Sequence, residues 1–389
     1  MDSPAAPSAC GSLRQSADAI GWSRREFLRM AAGIGTPAAL LAFSPLRALA
    51  VPRSRKAIVV TFGGGARDDE TFSLEGQENI PRLLSTLAPQ STFFTEVVNH
   101  GILGHYVATA SLATGVYETF DNFAEVPPGN PTVFEYFRRG LGRPADDTWV
   151  VAPSNGFNRI GESDHRGWGR GAGVILPKHL LRAALPAAPG RDYDDLLQDN
   201  YEDPFYVPPL AGSEVGLRQL DRILHLSASD FTRHALTLSS PDELSVYVAR
   251  QLMRQLAPSL LWITLHDMDI AHSGAYSLYI EGIRRSDRLC AEIWNAIQSD
   301  PEYANNTTLF ILPDFGRDGD RDPGGNGFQH HRTGDALSRT TWMMVLGPGV
   351  HQGLVVHRPV NSLDLVPTLG ALMGFPAPLV RGKPLPEVI

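Results

Sequence analysis

The chain has 389 residues, of which 43% are hydrophobic and 20% are charged, as is ordinary for a globular protein with one large core or two smaller ones. The formal net charge of -8 argues against a nucleic-acid partner, because phosphate backbones are bound by clustered Lys and Arg. The two cysteines are Cys10 and Cys290. Cys10 lies in a segment that we expect to be removed, so the mature chain would have one thiol and no internal disulfide.

The first fifty residues have the order of an export signal. Residues 23–29 read SRREFLR, an apolar run of small residues follows over 30–43, and Ala48-Leu49-Ala50 offers a cleavage site. The paired arginines closely resemble the twin-arginine signal, which implies the twin-arginine export machinery as a transient partner and a periplasmic or extracellular location. The run is shorter than the ~20 apolar residues of a spanning helix, so we expect no stable transmembrane span after cleavage. An uncleaved signal would instead tether the protein.

Strand and helix patterns alternate in the first part of the mature chain. The β-branched run over 56–62 stops at three glycines and predicts a buried strand, and 90–98 predicts a second one. Helices are predicted over 80–87 and 105–112. Residues 127–240 are rich in Pro, Gly, Asp and Tyr and have weak periodicity. They predict a loop-rich insertion, in which 192–212 form a loop excursion or a small cap.

The same alternation continues in the second part of the chain. Helices are predicted over 241–256, 276–297 and 364–373, and strands over 259–265, 307–312 and 341–346. Alternating strands and helices predict an α/β fold, with a mostly parallel central sheet covered by helices on both faces. We expect residues 1–50 to be the signal peptide and residues 51–389 to form a single domain.

Side chains that can bind metals are concentrated near the ends of three predicted strands. Residues 266–272, HDMDIAH, follow the strand over 259–265, and residues 314–318, DFGRD, follow the strand over 307–312. His330 and His331 lie in a polar loop before the last strand. Carboxylate and imidazole groups are ligands for zinc, manganese or iron, and reactive residues gather at the carboxyl ends of parallel strands. Each cluster alone is also typical of polar loop ends.

The order of these clusters resembles the alkaline phosphatase superfamily, which includes sulfatases and nucleotide pyrophosphatases. Members have an Asp and a His after one strand, an Asp-His-Gly after a later strand, and a further His in the loop beyond. The matching residues here, which the resemblance implies as metal ligands, are Asp267 or Asp269, His272, Asp314, and His330 or His331. Three other stretches also resemble the superfamily, namely Leu112–Gly115, Met344–Val350 and Ser362–Leu369.

The sequence departs from the superfamily pattern at several places. Gly63 or Gly64 stands where the first strand normally ends in a metal-binding Asp, and Phe315 replaces the His of Asp-His-Gly. The Asp-to-His spacing, usually four residues, is five or three here. His105 stands nine residues before Thr114, where sulfatases have a nucleophilic Cys or Ser. One metal site is thus expected to be retained and the other reduced.

We take His105, Thr109 and Arg67 as candidate catalytic residues. His105 is a replacement ligand or general base, or it simply packs at a helix start. Thr109 is a hydroxyl near the lost nucleophile position. Arg67 and Arg317 each follow a glycine-bearing turn, where a guanidinium would clamp a phosphate or sulfate oxygen or pair with a neighbouring acid. Residues 68–70, DDE, form either a rearranged site or the start of a helix.

The resemblance implies an exported, metal-dependent hydrolase of phosphate, phosphonate or sulfate esters, with zinc or manganese as the expected cofactor. Its substrate would be a small anionic ester. The alternative is a catalytically degenerate relative that binds an anionic ligand or an envelope partner in the periplasm. The loss of the imidazole at Phe315 and of the carboxylate at Gly63 favours this alternative.

Overall fold

The structure is a computed structural model, and the predicted signal over 1–50 and most of the excursion over 192–212 lie outside its described residues. The described residues are 56–124, 126–169, 171–186, 191–197, 214–320 and 325–389. No helix within these ranges is both long enough and apolar enough to cross a bilayer.

Within the described ranges, nine strands form one sheet. They are β1 Lys56–Phe62, β2 Ser91–Val98, β3 Thr148–Val151, β4 Gly173–Ile175, β5 Leu260–Leu265, β6 Thr307–Pro313, β7 Thr340–Leu346, β8 Leu354–Val356 and β9 Val360–Asn361. Their order across the sheet is β4-β3-β5-β1-β6-β7-β2-β8, with β9 also paired to β2. β7 is antiparallel to β6 and β2, and the other pairs are parallel. The predicted α/β fold with a mostly parallel sheet is confirmed.

Helices cover both faces of the sheet. In chain order they are α1 His105–Thr114, α2 Val133–Leu141, α3 Asn155–Asn158, α4 Pro177–Ala184, α5 Asp194–Leu197, α6 Glu214–Arg218, α7 Ala228–Ala235, α8 Pro241–Leu256, α9 Tyr276–Ser299, α10 Ala336–Arg339 and α11 Leu365–Met373. Successive side chains of a strand point to opposite faces. Accordingly, Ile58 and Val60 of β1 pack in a core cluster with α8 and α9, whereas Ala57 and Val59 pack with α1, α2 and α11.

Two predicted segments take a different form from the one expected. Residues 80–87, predicted as a helix, form a single wide turn over Leu83–Leu87. The buried carboxylate of Asp287 accepts hydrogen bonds from the backbone N–H groups of Arg82 and Leu83, which replaces the first helical bonds. The region 127–240, predicted to be loop-rich, contributes β3 and β4 to the main sheet. These strands have four and three residues, too few to show periodicity.

Candidate metal centre

His105 lies at the centre of a polar group at the carboxyl edge of the sheet. It is the first residue of α1, it is 1% exposed, and its ring sits between two carboxylates. Nδ1 lies 2.7 Å from Asp314 Oδ2, and Nε2 lies 2.9 Å from Asp269 Oδ1. Burial acts to lower the pKa of His105, but the two carboxylates outweigh it and raise that pKa to about 9.

Asp269 connects this imidazole to two more side chains. It lies on the 3-10 turn Asp267–Ser273, which follows β5 directly. Its Oδ1 lies 3.3 Å from His272 Nε2 and accepts a 2.9 Å hydrogen bond from Arg317 Nη2. Burial acts to raise the pKa of Asp269, but the charge and hydrogen bonding of His105 prevail and hold that pKa well below its usual value. Asp269 is therefore ionised and able to act as a ligand.

His331 completes a group of three imidazoles. Its Nε2 lies 3.0 Å from His272 Nε2, and one ring nitrogen from each of His105, His272 and His331 lies within 4.8 Å of the other two. Burial, together with the positive charge of His105, lowers the pKa of His331 to about 2. His331 is consequently neutral and able to bind a metal ion, whereas an ion bound at His105 Nε2 would have to displace the proton that the two carboxylates hold there.

The arrangement fits a divalent ion. The Nε2 atom of His105 is buried and lies 2.9 Å from Asp269 Oδ1, on the side of the ring that faces the cluster. In a tetrahedral site with ligand distances of ~2.0–2.1 Å, ligand atoms are about 3.3 Å apart. Three of the observed separations, at 2.9, 3.0 and 3.3 Å, are close to that value, and the three imidazole nitrogens all lie within 4.8 Å of one another. The cluster could hold a metal ion through nitrogen and oxygen ligands.

Asp314 was predicted as a metal ligand, but its carboxylate contacts Nδ1 of His105, on the side of the ring away from the other histidines. It is buried and accepts from His105 Nδ1, and its Oδ1 accepts a 2.9 Å hydrogen bond from the backbone N–H of Phe315. Burial raises its pKa, which His105 opposes. A carboxylate on the far nitrogen of a ligating histidine fixes the orientation of the ring and increases its basicity.

Two other predicted ligands lie outside the group. Asp267 Oδ2 accepts a 2.7 Å hydrogen bond from Arg285, and its Oδ1 is 3.4 Å from the backbone nitrogen of Asp242. The backbone of His330 holds the loop: its N–H donates to the carbonyl oxygen of Gly327, and its carbonyl oxygen accepts from the N–H of Asp318. Of each predicted alternative pair, the structure thus brings Asp269 and His331 to the centre.

The predicted anion clamps already have partners. Arg67 is 6% exposed and forms a two-pronged ion pair with Glu70 and a 2.6 Å bond to Asp320. Arg317 is fully buried, donates to the backbone oxygen of Gly64 at 2.7 Å and to that of Phe328 at 3.0 Å, and holds Asp269. Both guanidinium groups therefore stabilise the floor of the site rather than facing a ligand.

Thr109 is the remaining candidate nucleophile. It is fully buried within α1, a helix whose residues are all buried. The structure does not place its hydroxyl in the cleft that reaches the histidines. A covalent mechanism through Thr109 would require α1 to move.

Glycine and phenylalanine occupy the positions where the resemblance would have had further ligands. A Cβ on Gly64 would lie 2.6 Å from the backbone nitrogen of Asp269, and one on Gly63 would lie 2.5 Å from Phe157 Cζ. Phe315 stacks on the ring of His105, with centroids 4.6 Å apart at 17°. A carboxylate side chain at Gly64 would collide with the backbone of Asp269, and one at Gly63 would have to displace the Phe157 ring.

Two residues near the centre, Asn122 and His266, are not among the candidate site residues predicted from the sequence. The side-chain Oδ1 of Asn122 accepts from the backbone N–H of Tyr106 at 2.9 Å and so caps the start of α1. His266 Nε2 lies 3.5 Å from Asp269 Oδ2, and its ring contacts Phe157 edge-on. His266 stands at the head of a predicted cluster, but its spacing does not distinguish it from an ordinary strand end. Asn122 is a long-range cap that spacing cannot reveal.

A cleft of about 520 Å³ leads to the histidines. Its described lining residues are His105, Asn122, Phe123, Asp269, Ile270, His272, Ser273 and His331. The candidate metal centre is therefore open to a small molecule.

Comparison with known proteins shows which architecture carries this centre. No protein-family model matches the sequence, and no curated protein matches it. The crystal structure of the lipoteichoic acid synthase LtaP from Listeria monocytogenes matches with a TM-score of 0.53 and 11% identity over 87% of this chain and 76% of that chain. A mutant of alkaline phosphatase PafA matches with a TM-score of 0.51 and 12% identity over 87% of this chain and 100% of that chain.

The chain has an alkaline phosphatase-like fold. Wild-type PafA agrees, with a TM-score of 0.50 and 13% identity over 87% of this chain and the whole of that chain. Identities this low show the fold alone. The chemistry of this chain has to be argued from its own residues.

Proposed function

We propose that this chain is an exported, metal-dependent hydrolase of phosphate, phosphonate or sulfate esters, with a reduced site for one divalent ion. The observation that carries the proposal is the convergence of His105, His272 and His331 beside Asp269 at the end of a cleft. Three imidazole nitrogens that lie within 4.8 Å of one another beside a carboxylate, one of them fully buried, are an arrangement typical of a metal site.

The ligand set favours zinc, with manganese as the alternative. Three imidazoles and one carboxylate are nitrogen and oxygen donors of the kind that zinc binds in four-coordinate sites, and manganese prefers a larger share of oxygen. When bound, such an ion supplies a Lewis acid that polarises the ester and stabilises the charge that develops on its oxygens.

The residues around the cluster position its ligands and the ester. Asp314 holds the far side of His105, and Arg317 balances the charge of Asp269. Asn122 lines the cleft while its Oδ1 is used by α1, so its amide N–H groups are the part that can donate to an ester oxygen. In the reaction, water adds to the phosphorus or sulfur atom, and the ester oxygen leaves with a proton as an alcohol. The burial of Thr109 favours this direct attack over a covalent intermediate.

A second function is favoured by one specific observation. Arg67 and Arg317 are both buried and saturated with protein partners, so neither is available to clamp an ester oxyanion. The same centre would then serve a binding protein that holds an anionic ligand through the ion. Metal would be present in both cases, and turnover distinguishes them.

The mature chain purified without chelators or a metal-affinity tag is expected to contain about one equivalent of zinc or manganese by elemental mass spectrometry. His272→Ala should lose most of this metal, because His272 contributes a nitrogen 3.0 Å from that of His331. His351→Ala, in which an exposed histidine is changed, is the matched control and should retain it. The loaded protein should hydrolyse p-nitrophenyl phosphate, methylphosphonate or sulfate, and His272→Ala should lose at least 100-fold in kcat/KM.

Two results would count against the proposal in different ways. A folded, metal-free mature protein would remove the metal centre and with it both functions. Stoichiometric metal with no turnover of any of the three esters would leave the binding function. Equal metal content in His272→Ala and His351→Ala would exclude His272 as a ligand.

The export part of the proposal rests on the sequence SRREFLR over 23–29, followed by one mature domain over 51–389. Changing both Arg24 and Arg25 to Lys is expected to leave nearly all of the protein in the cytoplasm, because the twin-arginine pair is read as a signal. Arg29→Lys is the matched control and should be exported. Cell fractionation with immunoblotting measures both, and normal export of the double variant would rule out this route.

A further inference from the structure

The lip of the cleft carries an exposed aromatic side chain. Phe123 is 70% exposed and lines the cleft together with the histidines. Its loop is fixed, since the Phe123 backbone N–H donates to Asp121 Oδ1 at 3.0 Å and Asn122 caps α1. The loop also packs closely on Gly104, where a Cβ would lie 2.5 Å from Asn122 Oδ1. A large apolar side chain with most of its surface exposed therefore lies beside the candidate metal ligands, where a bound apolar group would cover it.

A second apolar side chain lines the cleft. Ile270 lies on the same turn as Asp269 and His272 and lines the cleft. It also lines a neighbouring cavity of about 320 Å³, where Leu278 is 49% exposed. Because both cavities share Ile270, this residue and Leu278 offer apolar surface next to the cleft at the histidines.

We infer that the substrate is an ester with an apolar aryl or alkyl substituent, which packs between Phe123 and Ile270 while its phosphorus or sulfur centre lies at the histidines. The inference rests on the proposed function, because the substituent belongs to the ester that is hydrolysed. Phe123 and Ile270 are then specificity residues, since a pocket discriminates apolar groups by the surface that they bury there.

The test compares two esters with one leaving group. The loaded, full mature chain is assayed with p-nitrophenyl phenylphosphonate and p-nitrophenyl methylphosphonate, so that the departing p-nitrophenolate is the same. We expect kcat/KM to be roughly 10-fold or more higher for the phenyl compound, and Phe123→Ser to reduce this ratio to near one. Leu337→Ser, in which a 53% exposed leucine outside the cleft lining is changed, should keep the wild-type ratio.

Binding measured without turnover separates the inference from the proposed function. By titration calorimetry, phenylphosphonate should bind the loaded protein roughly 10-fold more tightly than methylphosphonate, and Phe123→Ser should remove the difference. Tighter binding of phenylphosphonate without turnover of either ester would support the apolar subsite and contradict the proposed hydrolase function. Equal rates and equal affinities for the two ligands would overturn the subsite and leave the hydrolase. A dimer that Phe123→Ser dissociates, with no ligand preference, would assign the exposed ring to a second copy and also overturn it.

Discussion

Replacing His105 with alanine is expected to lower the affinity for divalent metal at least 100-fold and to destabilise the metal-free protein by about 3–5 kcal/mol. The imidazole is 1% exposed and separates the carboxylates of Asp314 and Asp269. Without it, the carboxylate of Asp314 keeps the hydrogen bond from the Phe315 backbone N–H but loses that from the imidazole, and the two buried carboxylates lose the cation between them. The empty volume against the Phe315 ring adds to the loss.

Metal competition titrations and urea unfolding of the metal-free proteins measure the two effects separately. His351→Ala controls for the loss of an exposed histidine and should match the wild type in both measurements. If His105→Ala kept its metal but lost stability, His105 would be a packing residue at the start of α1. If His105→Ala kept both its metal affinity and its stability, His105 would be neither a metal ligand nor a packing residue.

Replacing Gly64 with alanine is expected to destabilise the protein by about 3 kcal/mol or more and to reduce its metal content. The added Cβ would lie 2.6 Å from the backbone nitrogen of Asp269 and 3.0 Å from the carbonyl carbon of Met268. These are backbone atoms and cannot rotate away, so the turn that carries Asp269 and His272 has to move. Because the turn carries Asp269 and His272, its displacement would lower both the stability of the protein and its metal content.

Thermal unfolding and elemental analysis of Gly64→Ala test this coupling. Gly334→Ala is the matched control, because a Cβ there meets nothing within 4 Å, and it should behave as the wild type does. A Gly64→Ala protein of normal stability and normal metal content would show that the turn yields easily. The close approach of β1 to the turn after β5 would then not position the ligands.

The sequence predicts the metal ligands only up to pairs of alternatives, and local geometry decides between them. Asp269 and His272 are three residues apart on a 3-10 turn, where side chains at i and i+3 lie on the same side. Asp267 therefore points elsewhere, although its spacing was an equal match. His330 and His331 are adjacent residues after a short turn, and of the two the structure brings His331 to the cluster. The spacing of residues in the sequence does not show which of two nearby side chains a short turn directs to the cluster.

Long-range contacts account for what sequence reasoning does not supply. The strands β1, β5, β6 and β7 are predictable, because they are apolar runs of six or seven residues. Arg67 and Arg317 each follow a glycine-bearing turn, as an anion clamp would. Arg67 instead pairs with the nearby Glu70 and the distant Asp320, and Arg317 donates to the distant backbone oxygen of Gly64. The contribution of Asn122 to α1 also depends on a loop folding back.

The position of β1 at the centre of the sheet affects how the chain can be made. β1 pairs with β5 on one side and with β6 on the other, and Val59 lies opposite Trp262 and Phe310. These partners follow β1 by roughly 200 and 250 residues, which at ~5–20 residues per second is roughly 10–50 s of ribosomal synthesis. During that interval the apolar strand β1 has neither of its neighbours, which exposes it to aggregation. A route that exports folded protein would have to wait until β6 has been translated and paired.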